Sequence, residues 1–497
     1  MPHVITQACC GDASCVYACP VNCIHPTPDE PDFGIAEMLY IDPSTCVDCG
    51  ACVSACPVGA IVPGHRLPET AARFADVNAG HYGEPATDEA RFPVRAEWRL
   101  PMAPITKPAR LGGAAPGELR VAIVGSGPSA MYAADELLKH REVKVSVFER
   151  LSQPFGLARF GVAPDHESTR SVANLFDEIA RHPNITIALN TEIGRDITLD
   201  ELRRTHHAVL WAGGAPTDRP LAIPGVDLEG VQSATSVVGW YNGHPDFAYS
   251  APDLGTERAV VIGNGNVALD VARIFTADPE RLATTSIDQT ALAALRGSSI
   301  REVVVVARRG PEHAAFTLPE LIGLADGPAH VWVDPSELVG VDPDAIDDPT
   351  VAAKVSLLHE ISQREKPTEP FIRLSFGYTP LEVVGDGRAT GVKFVKTGTD
   401  QESVIDAGLV LTAVGYRGRA VPGLPFDEAK GTVAHVEGRI VEAGEPIAGL
   451  YVTGWIKRGP SGFIGTNKTD SGETVKHLLA DAEAGVLPHP GSAAVPV

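Results

Sequence analysis

LRVAIVGSGPSAMYAADELL, residues 119–138, decides the fold. The apolar run Val121 to Val124 predicts a buried strand, and a helical pattern starts at about Ser129. Between them Gly125, Gly127 and Ala130 form a G-x-G-x-x-A turn. The first glycine permits the tight reversal, the second lets a pyrophosphate approach the backbone, and the alanine lets the helix pack close, with its N-terminus toward the phosphate. The following strand, VKVSVFER at 143–150, ends on Glu149, the acid that such a unit places on a ribose hydroxyl. Strand, glycine turn, helix and terminal acid together predict a dinucleotide-binding unit.

The design repeats. RAVVIGNGNVALDVARIF, residues 258–275, sets Gly263, Gly265 and Ala268 between a strand and a helix. Its next clear strand, EVVVVARRG at 302–310, ends on Arg308 and Arg309 instead of an acid. A carboxylate selects a free 2′-hydroxyl, whereas guanidinium groups select a 2′-phosphate. The first unit therefore reads as an FAD site and the second as an NADP site. About 40 residues separate these glycines from the arginines, so the stretch between them is expected to be an extended helical insertion. HHAVLWAGGAPTDRPLAIPG, residues 206–225, reads as the strand and glycine turn closing the first half.

All nine cysteines lie at or before Cys56. CVDCGACVSACPVGA, residues 46–60, carries Cys46, Cys49, Cys52 and Cys56 at the iron–sulfur spacing Cys-x2-Cys-x2-Cys-x3-Cys-Pro. CCGDASCVYACP, residues 9–20, repeats it with Cys9, Cys15 and Cys19 but has Asp12 at the second position. In two-cluster ferredoxins the last cysteine of each run serves the other run's cluster. Cys46, Cys49 and Cys52 should thus join Cys19 on a 4Fe-4S cluster, and Cys9 and Cys15 should join Cys56 on a second. That second cluster is either 3Fe-4S, with one corner vacant, or 4Fe-4S with the Asp12 carboxylate on its fourth iron. Structural zinc, the rival, takes its ligands in pairs rather than in this interleaved set. Cys10 and Cys23 fall off the spacing and read as packing or supporting thiols, although Cys10 could exchange with Cys9. Residues 1–62 resemble the seven-iron and aspartate-containing bacterial ferredoxins, which predicts a small α+β domain.

A formal charge of −22 argues against nucleic acid as a partner. Residues 1–62 contain no Lys or Arg, a composition that suits either a basic patch on a partner or simple solvation. No apolar run is long enough to span a membrane, and the N-terminus MPHVITQACC carries no secretory signal, so a cytoplasmic monomer is expected. Pro63, Pro68, Pro85, Pro93, Pro101, Pro104, Pro108 and Pro116 punctuate residues 63–116, which read as a linker tethering the ferredoxin.

From Glu118 to about Ala484 the chain resembles the adrenodoxin-reductase family of ferredoxin–NADP reductases, among the two-dinucleotide-binding flavoproteins. The segments that carry the resemblance are PFGLARFGVAPDH, ARRGPEHAAFTLPEL, VGYRG and GWIKRGPSGFIGTNK, beside the two glycine motifs. With the cysteine runs included, the chain is similar to actinobacterial fusions of a ferredoxin to such a reductase. The resemblance implies an FAD domain at 117–217 and 415–497, interrupted by an NADP domain at 218–414. It implies FAD contacts at Ser129, Leu157, Ile193, Trp455, Gly462, Phe463 and Ile464, and NADP contacts at Asn264, Gly265, Asn266, Val267 and Gly462. It also implies that Glu320 frames the 2′-phosphate end with Arg308 and Arg309, and that Asp165 and His166 lie near the flavin edge facing the ferredoxin. The chain departs from the family at Gly323, one turn after Glu320, where relatives often carry an acid.

Hydride carries two electrons and clusters take one at a time, so a flavin belongs between them. The expected activity is NADPH-dependent ferredoxin reduction. Electrons are expected to reach the Cys19, Cys46, Cys49 and Cys52 cluster first, then the second cluster or an external acceptor such as a ferredoxin or a cytochrome P450. A thioredoxin-reductase reading fails because no cysteine follows Gly117. An electron-input subunit of a larger synthase remains the alternative.

Overall fold

The computed structural model describes residues 2–82, 111, 115, 117–368 and 370–491. Leu119–Val124 pairs in parallel with Val143–Phe148 on one side and Ala208–Trp211 on the other. It sits in a seven-stranded sheet that Ile185–Ala188 ends on one edge, while Glu445–Val452 pairs in parallel with Ala208–Trp211 and leads to the other edge. Val121, Ala122 and Ile123 are fully buried, as an apolar strand covered on both faces requires. Helices Pro128–Leu138 and Thr466–Glu483 pack together on this sheet although they are far apart in sequence.

The second unit is a six-stranded parallel sheet in the order Val231–Ser233, Leu409–Thr412, Arg258–Ile262, Glu302–Ala307, Phe371–Phe376, His330–Val333. The stretch between Asn266 and the arginine-tipped strand holds helices Asn266–Thr276, Pro279–Leu282 and Gln289–Arg296, the helical insertion that the spacing predicts. The chain crosses between the two sheets at Thr217–Asp218 and at Tyr416–Arg417, and these two crossings pair antiparallel with each other.

The N-terminal module has a pseudo-twofold plan. His3–Ile5 pairs with Ile61–Pro63, Ile24–His25 pairs with Tyr40–Ile41, and the short helices Ser14–Ala18 and Ala51–Ala55 pack together. Its boundary differs from the expectation. Residues 63–82 do not tether the module; they complete it. Pro63 ends a strand, and helix Arg73–Gly80 lies across the strands. Phe74 of that helix is 2% exposed, a burial that contributes roughly 2 kcal/mol. The Asn78 side chain accepts from the Ile5 and Ile41 amides at 3.2 and 2.9 Å and donates to the Ile5 and Phe74 carbonyls at 2.8 and 2.7 Å. The linker expected over 83–110 lies outside the described residues.

The module is packed against both sheets. Cys10, Val58 and Ala60 join the apolar core of the first, with Met131 and Phe155, while Val16, Ile41 and Phe74 are continuous with the core of the second, with Phe316 and Leu321.

Candidate functional site

Both glycine turns need glycine at their first position. A Cβ on Gly125, at φ +96°, would stand 2.8 Å from the Ala212 carbonyl oxygen, and one on Gly263, at φ +115°, would stand 2.2 Å from that of Ala413. At Gly127 and Gly265 a Cβ would meet nothing within 4 Å, so the space before each backbone is open. Helices Pro128–Leu138 and Asn266–Thr276, which follow, have no side-chain cap. Helices starting after Thr198, Asp288, Thr317 and Asp348 are all capped by those side chains. Uncapped amides facing open space suit a pyrophosphate. At the second turn the buried Asn264 Nδ2 has no protein partner, a donor waiting for an acceptor.

Glu149 follows strand Val143–Phe148 beside the first glycine turn. It accepts from the Ser126 amide (3.0 Å), the Ser126 hydroxyl (2.6 Å) and the Leu151 amide (2.9 Å). An ionised carboxylate has about four acceptor sites, which leaves one for a ribose hydroxyl. Arg308 and Arg309 are exposed at the end of Glu302–Ala307, and neither forms an ion pair among the described residues. These features fit FAD at the first turn and NADP at the second.

Ser129 and Ala130 lie at the start of helix Pro128–Leu138, and the Ser129 hydroxyl donates to Asn467 Oδ1 at 2.7 Å, tying the glycine turn to the C-terminal segment. Leu157 opens a turn of helix after the left-handed Gly156, and Ile193 bridges to Ile197. Trp455 packs against Tyr416 with ring centroids 5.2 Å apart and donates its indole N–H to the Ser461 carbonyl. Gly462, Phe463 and Ile464 follow on the same loop, where the Phe463 amide donates to the Thr466 hydroxyl. Asn266 Oδ1 accepts from the Thr317 amide at 2.9 Å, and Val267 packs on the second core.

Glu320 carries its carboxyl in a polar cluster with His166, Asp270 and Gln7. His166 Nε2 is 3.9 Å from Glu320 Oε2, and Gln7 Nε2 donates to the same oxygen at 3.0 Å. Burial raises the Glu320 carboxyl above its usual range and Asp270 adds to the rise, against the opposing pull of His166, Arg273 and Gln7. Beside it Arg273 grips Asp165 at 2.7 and 3.0 Å and Asp270 at 2.7 Å. Burial works against the Asp165 charge, but the Arg273 guanidinium outweighs it and holds the carboxyl below its usual value. Sequence reasoning missed Gln7, Asp270 and Arg273. The i, i+3 pair Asp270 and Arg273 was visible in the second glycine motif; Gln7 carried no signal.

The cysteines line two cavities. Cys19, Cys46, Cys49 and Cys52, with Cys23, line one, and Cys9, Cys15 and Cys56, with Cys10 and Asp12, line the other. Three or four thiols converging on one space suit an iron–sulfur cluster, and the interleaved grouping is the one that the spacing predicts. Burial pushes the Cys9 and Cys52 thiols up to about 11, so thiolates need a cationic group there. Cys23 Sγ lies 3.4 Å from Cys19 Sγ, and its amide donates to the same sulfur.

The two cysteine loops share a backbone. Gly11 and Ala13 have φ of 68° and 58°, and the corresponding Asp48 and Gly50 have 56° and 73°. Asp12 thus occupies the backbone position of Cys49. Its carboxylate, however, accepts from the Ser14 amide at 3.3 Å, from the Ser14 hydroxyl, and from Lys468 Nζ at 3.3 Å. The loop Cys10–Asp12, not Cys46–Cys52, meets the segment that carries Trp455 to Lys468: the Gly465 amide donates to the Cys10 carbonyl at 2.7 Å. Val47 is 59% exposed and Cys49 is exposed, whereas Cys10, Asp12 and Cys15 are buried.

Known families match both halves of the chain. The family described as "4Fe-4S binding domain" matches residues 39–62, and "Pyridine nucleotide-disulphide oxidoreductase" matches 119–309. The chain is 53% identical over 498 residues to "Probable ferredoxin/ferredoxin--NADP reductase" of Mycobacterium bovis, covering 99% of this chain and 85% of that one. It is 40% identical over 406 residues to human mitochondrial "NADPH:adrenodoxin oxidoreductase", covering 76% and 82% of the two chains. The solved structure "Mycobacterium tuberculosis FprA in complex with NADPH" superposes with a TM-score of 0.68 at 42% identity, covering 75% of this chain and 87% of that one. Two glycine-turn nucleotide sites and a packed ferredoxin module, carried at this identity over nearly the whole length, make the chain a member of the ferredoxin/ferredoxin–NADP reductase family.

Proposed function

We propose that this ferredoxin–NADP reductase passes electrons from NADPH through its own ferredoxin module, which holds two clusters of different kinds, to an external acceptor. FAD, when bound, accepts electrons in pairs and releases them singly, the conversion that one-electron clusters require. Arg308 and Arg309 select NADPH by its 2′-phosphate, and Glu149 holds the FAD ribose. His166 and Glu320 place an imidazole and a carboxyl side by side, while Arg273 fixes the loop of Asp165 and His166 against the second nucleotide helix.

The outer cavity takes four thiolates and a 4Fe-4S cluster. The inner cavity takes a 3Fe-4S cluster on Cys9, Cys15 and Cys56. The reason is that the Asp12 carboxylate is already engaged by Ser14 and Lys468. The acceptor, another ferredoxin or a cytochrome P450, meets the exposed face around Val47 and Cys49 with a basic patch, since residues 1–62 carry no Lys or Arg. No helix among the described residues is long and apolar enough to cross a membrane, and the nine cysteines form no disulfide, which suits a reducing compartment.

The observation that carries this reading is the contact of the Cys10–Asp12 loop with Gly465 and Lys468. The experiment is an iron and flavin count on anaerobically purified protein, with EPR before and after NADPH. About seven irons per FAD, and an oxidised-state three-iron signal that NADPH diminishes, support the reading. About eight irons without that signal would assign Asp12 as a ligand, and clusters that NADPH never reduces would overturn the electron path.

A further inference from the structure

Two glycines of the reductase half stand where the backbone does not call for glycine. Gly323 lies within helix Leu318–Asp326, a position that disfavours glycine. Gly465 has φ −69° and ψ −26° before helix Thr466–Glu483, a right-handed conformation open to any residue. What the two share is the neighbour. A Cβ on Gly323 would lie 2.2 Å from Gln7 Oε1, and one on Gly465 would lie 2.2 Å from the Asp12 amide nitrogen and 2.4 Å from the Cys10 carbonyl oxygen. Every one of these atoms belongs to the ferredoxin module. Gln7 could swing away, but the Cys10–Asp12 backbone cannot yield without moving the cysteine loop.

Polar contacts surround both notches. On the first sheet's domain, Lys468 donates to the Ser14 hydroxyl at 2.8 Å and Ser171 donates to the Pro57 carbonyl at 3.2 Å. On the second, Glu37 accepts from the Leu318 amide at 2.6 Å and from Lys354 at 2.9 Å. Arg73 also grips Asp326 at 2.9 and 3.2 Å and Glu360 at 3.0 Å with two of its nitrogens.

We propose that the ferredoxin module is a fixed wall of the reductase site, seated in the Gly323 and Gly465 notches, with its Cys9, Cys15, Cys56 cavity turned inward and its Cys19, Cys46, Cys49, Cys52 cavity turned to solvent. The module straddles both nucleotide domains, so they cannot rotate against each other while it is seated. The inner cavity receives electrons first and the outer one serves the external acceptor. This order rests on the function proposed above; the seating does not.

The test is hydrogen exchange on the full-length holoprotein. Wild type should protect residues 5–12 and 318–326 as one unit. Gly465→Ser should speed exchange in both segments by about tenfold or more. Gly472→Ala, on the same helix with nothing within 4 Å, should leave both unchanged. Arg73→Glu, which sets like charges against Asp326 and Glu360, provides a second route that spares the glycine helices and should loosen the same segments. Exchange unaltered by both Gly465→Ser and Arg73→Glu would overturn the proposal. Wild-type protein whose two segments exchange independently while NADPH still reduces its clusters would refute the seating and keep the function. Joint protection in a protein whose clusters NADPH cannot reduce would uphold the seating and refute the function.

Discussion

The Arg273 guanidinium holds Asp165 in a two-point grip, at 2.7 and 3.0 Å, and so ties the helix after the second glycine turn to the loop that presents His166. Arg273 is 9% exposed, so this pair is more than a surface ornament. Arg273→Met leaves the half-buried Asp165 and Asp270 without their partner and should cost about 1.5–3 kcal/mol, read as a drop in the urea midpoint. Because the native Asp165 value is lowered, the stability it contributes is complete above its unfolded value of about 3.9 and is lost as pH falls through the native value. Wild type should therefore lose this contribution only at acid pH, and Arg273→Met should show a flatter acid limb.

Nucleotide choice should rest on Arg308 and Arg309. A charge-assisted hydrogen bond is worth about 1.5–3 kcal/mol, so Arg308→Ala or Arg309→Ala should lower kcat/KM for NADPH by roughly 10- to 100-fold and leave that for NADH nearly unchanged. Steady-state kinetics with both nucleotides and an artificial acceptor measure this.

Asp12→Cys supplies a thiol at the backbone position equivalent to Cys49. The expected outcome is a gain of about one iron per molecule and loss of the oxidised-state three-iron EPR signal. An unchanged signal would mean that the new sulfur does not reach the inner cavity.

Asn78→Ala should unseat the helix that completes the ferredoxin. It leaves the buried Ile5 and Ile41 amides and the Ile5 carbonyl without their partner, at about 1–3 kcal/mol for each unsatisfied group. Faster iron loss to a chelator is the measurement. Release of iron at the wild-type rate would count against a structural role for residues 73–80.

The parts of this molecule that were legible in the sequence are those where one residue type alone fits. Gly125 and Gly263 have positive φ and a carbonyl in the way of any side chain, and cysteine spacing encodes the loop around a cluster, so both motifs announced themselves. Residues 63–82 misled because Pro63 and Pro68 resemble punctuation, while Phe74 and Asn78, one turn apart, give a helix only when the ferredoxin strands lie beneath them. The surroundings of Glu320 were not legible: it lies on a helix capped by Thr317, whose hydroxyl Asn266 also contacts, and His166 and Gln7 reach it from distant parts of the chain. The interface was silent because Gln7, Ser14 and Lys468 are ordinary surface residues until the two halves meet; only the unneeded glycines 323 and 465 marked it.

The most direct measurement is the rate at which NADPH reduces the clusters under anaerobic conditions, followed by rapid-freeze EPR over a wide range of protein concentration. A reductase that carries its own seated ferredoxin predicts a first-order rate, independent of protein concentration and insensitive to salt. A rate proportional to protein concentration, or clusters that stay oxidised while NADPH is consumed, would contradict it.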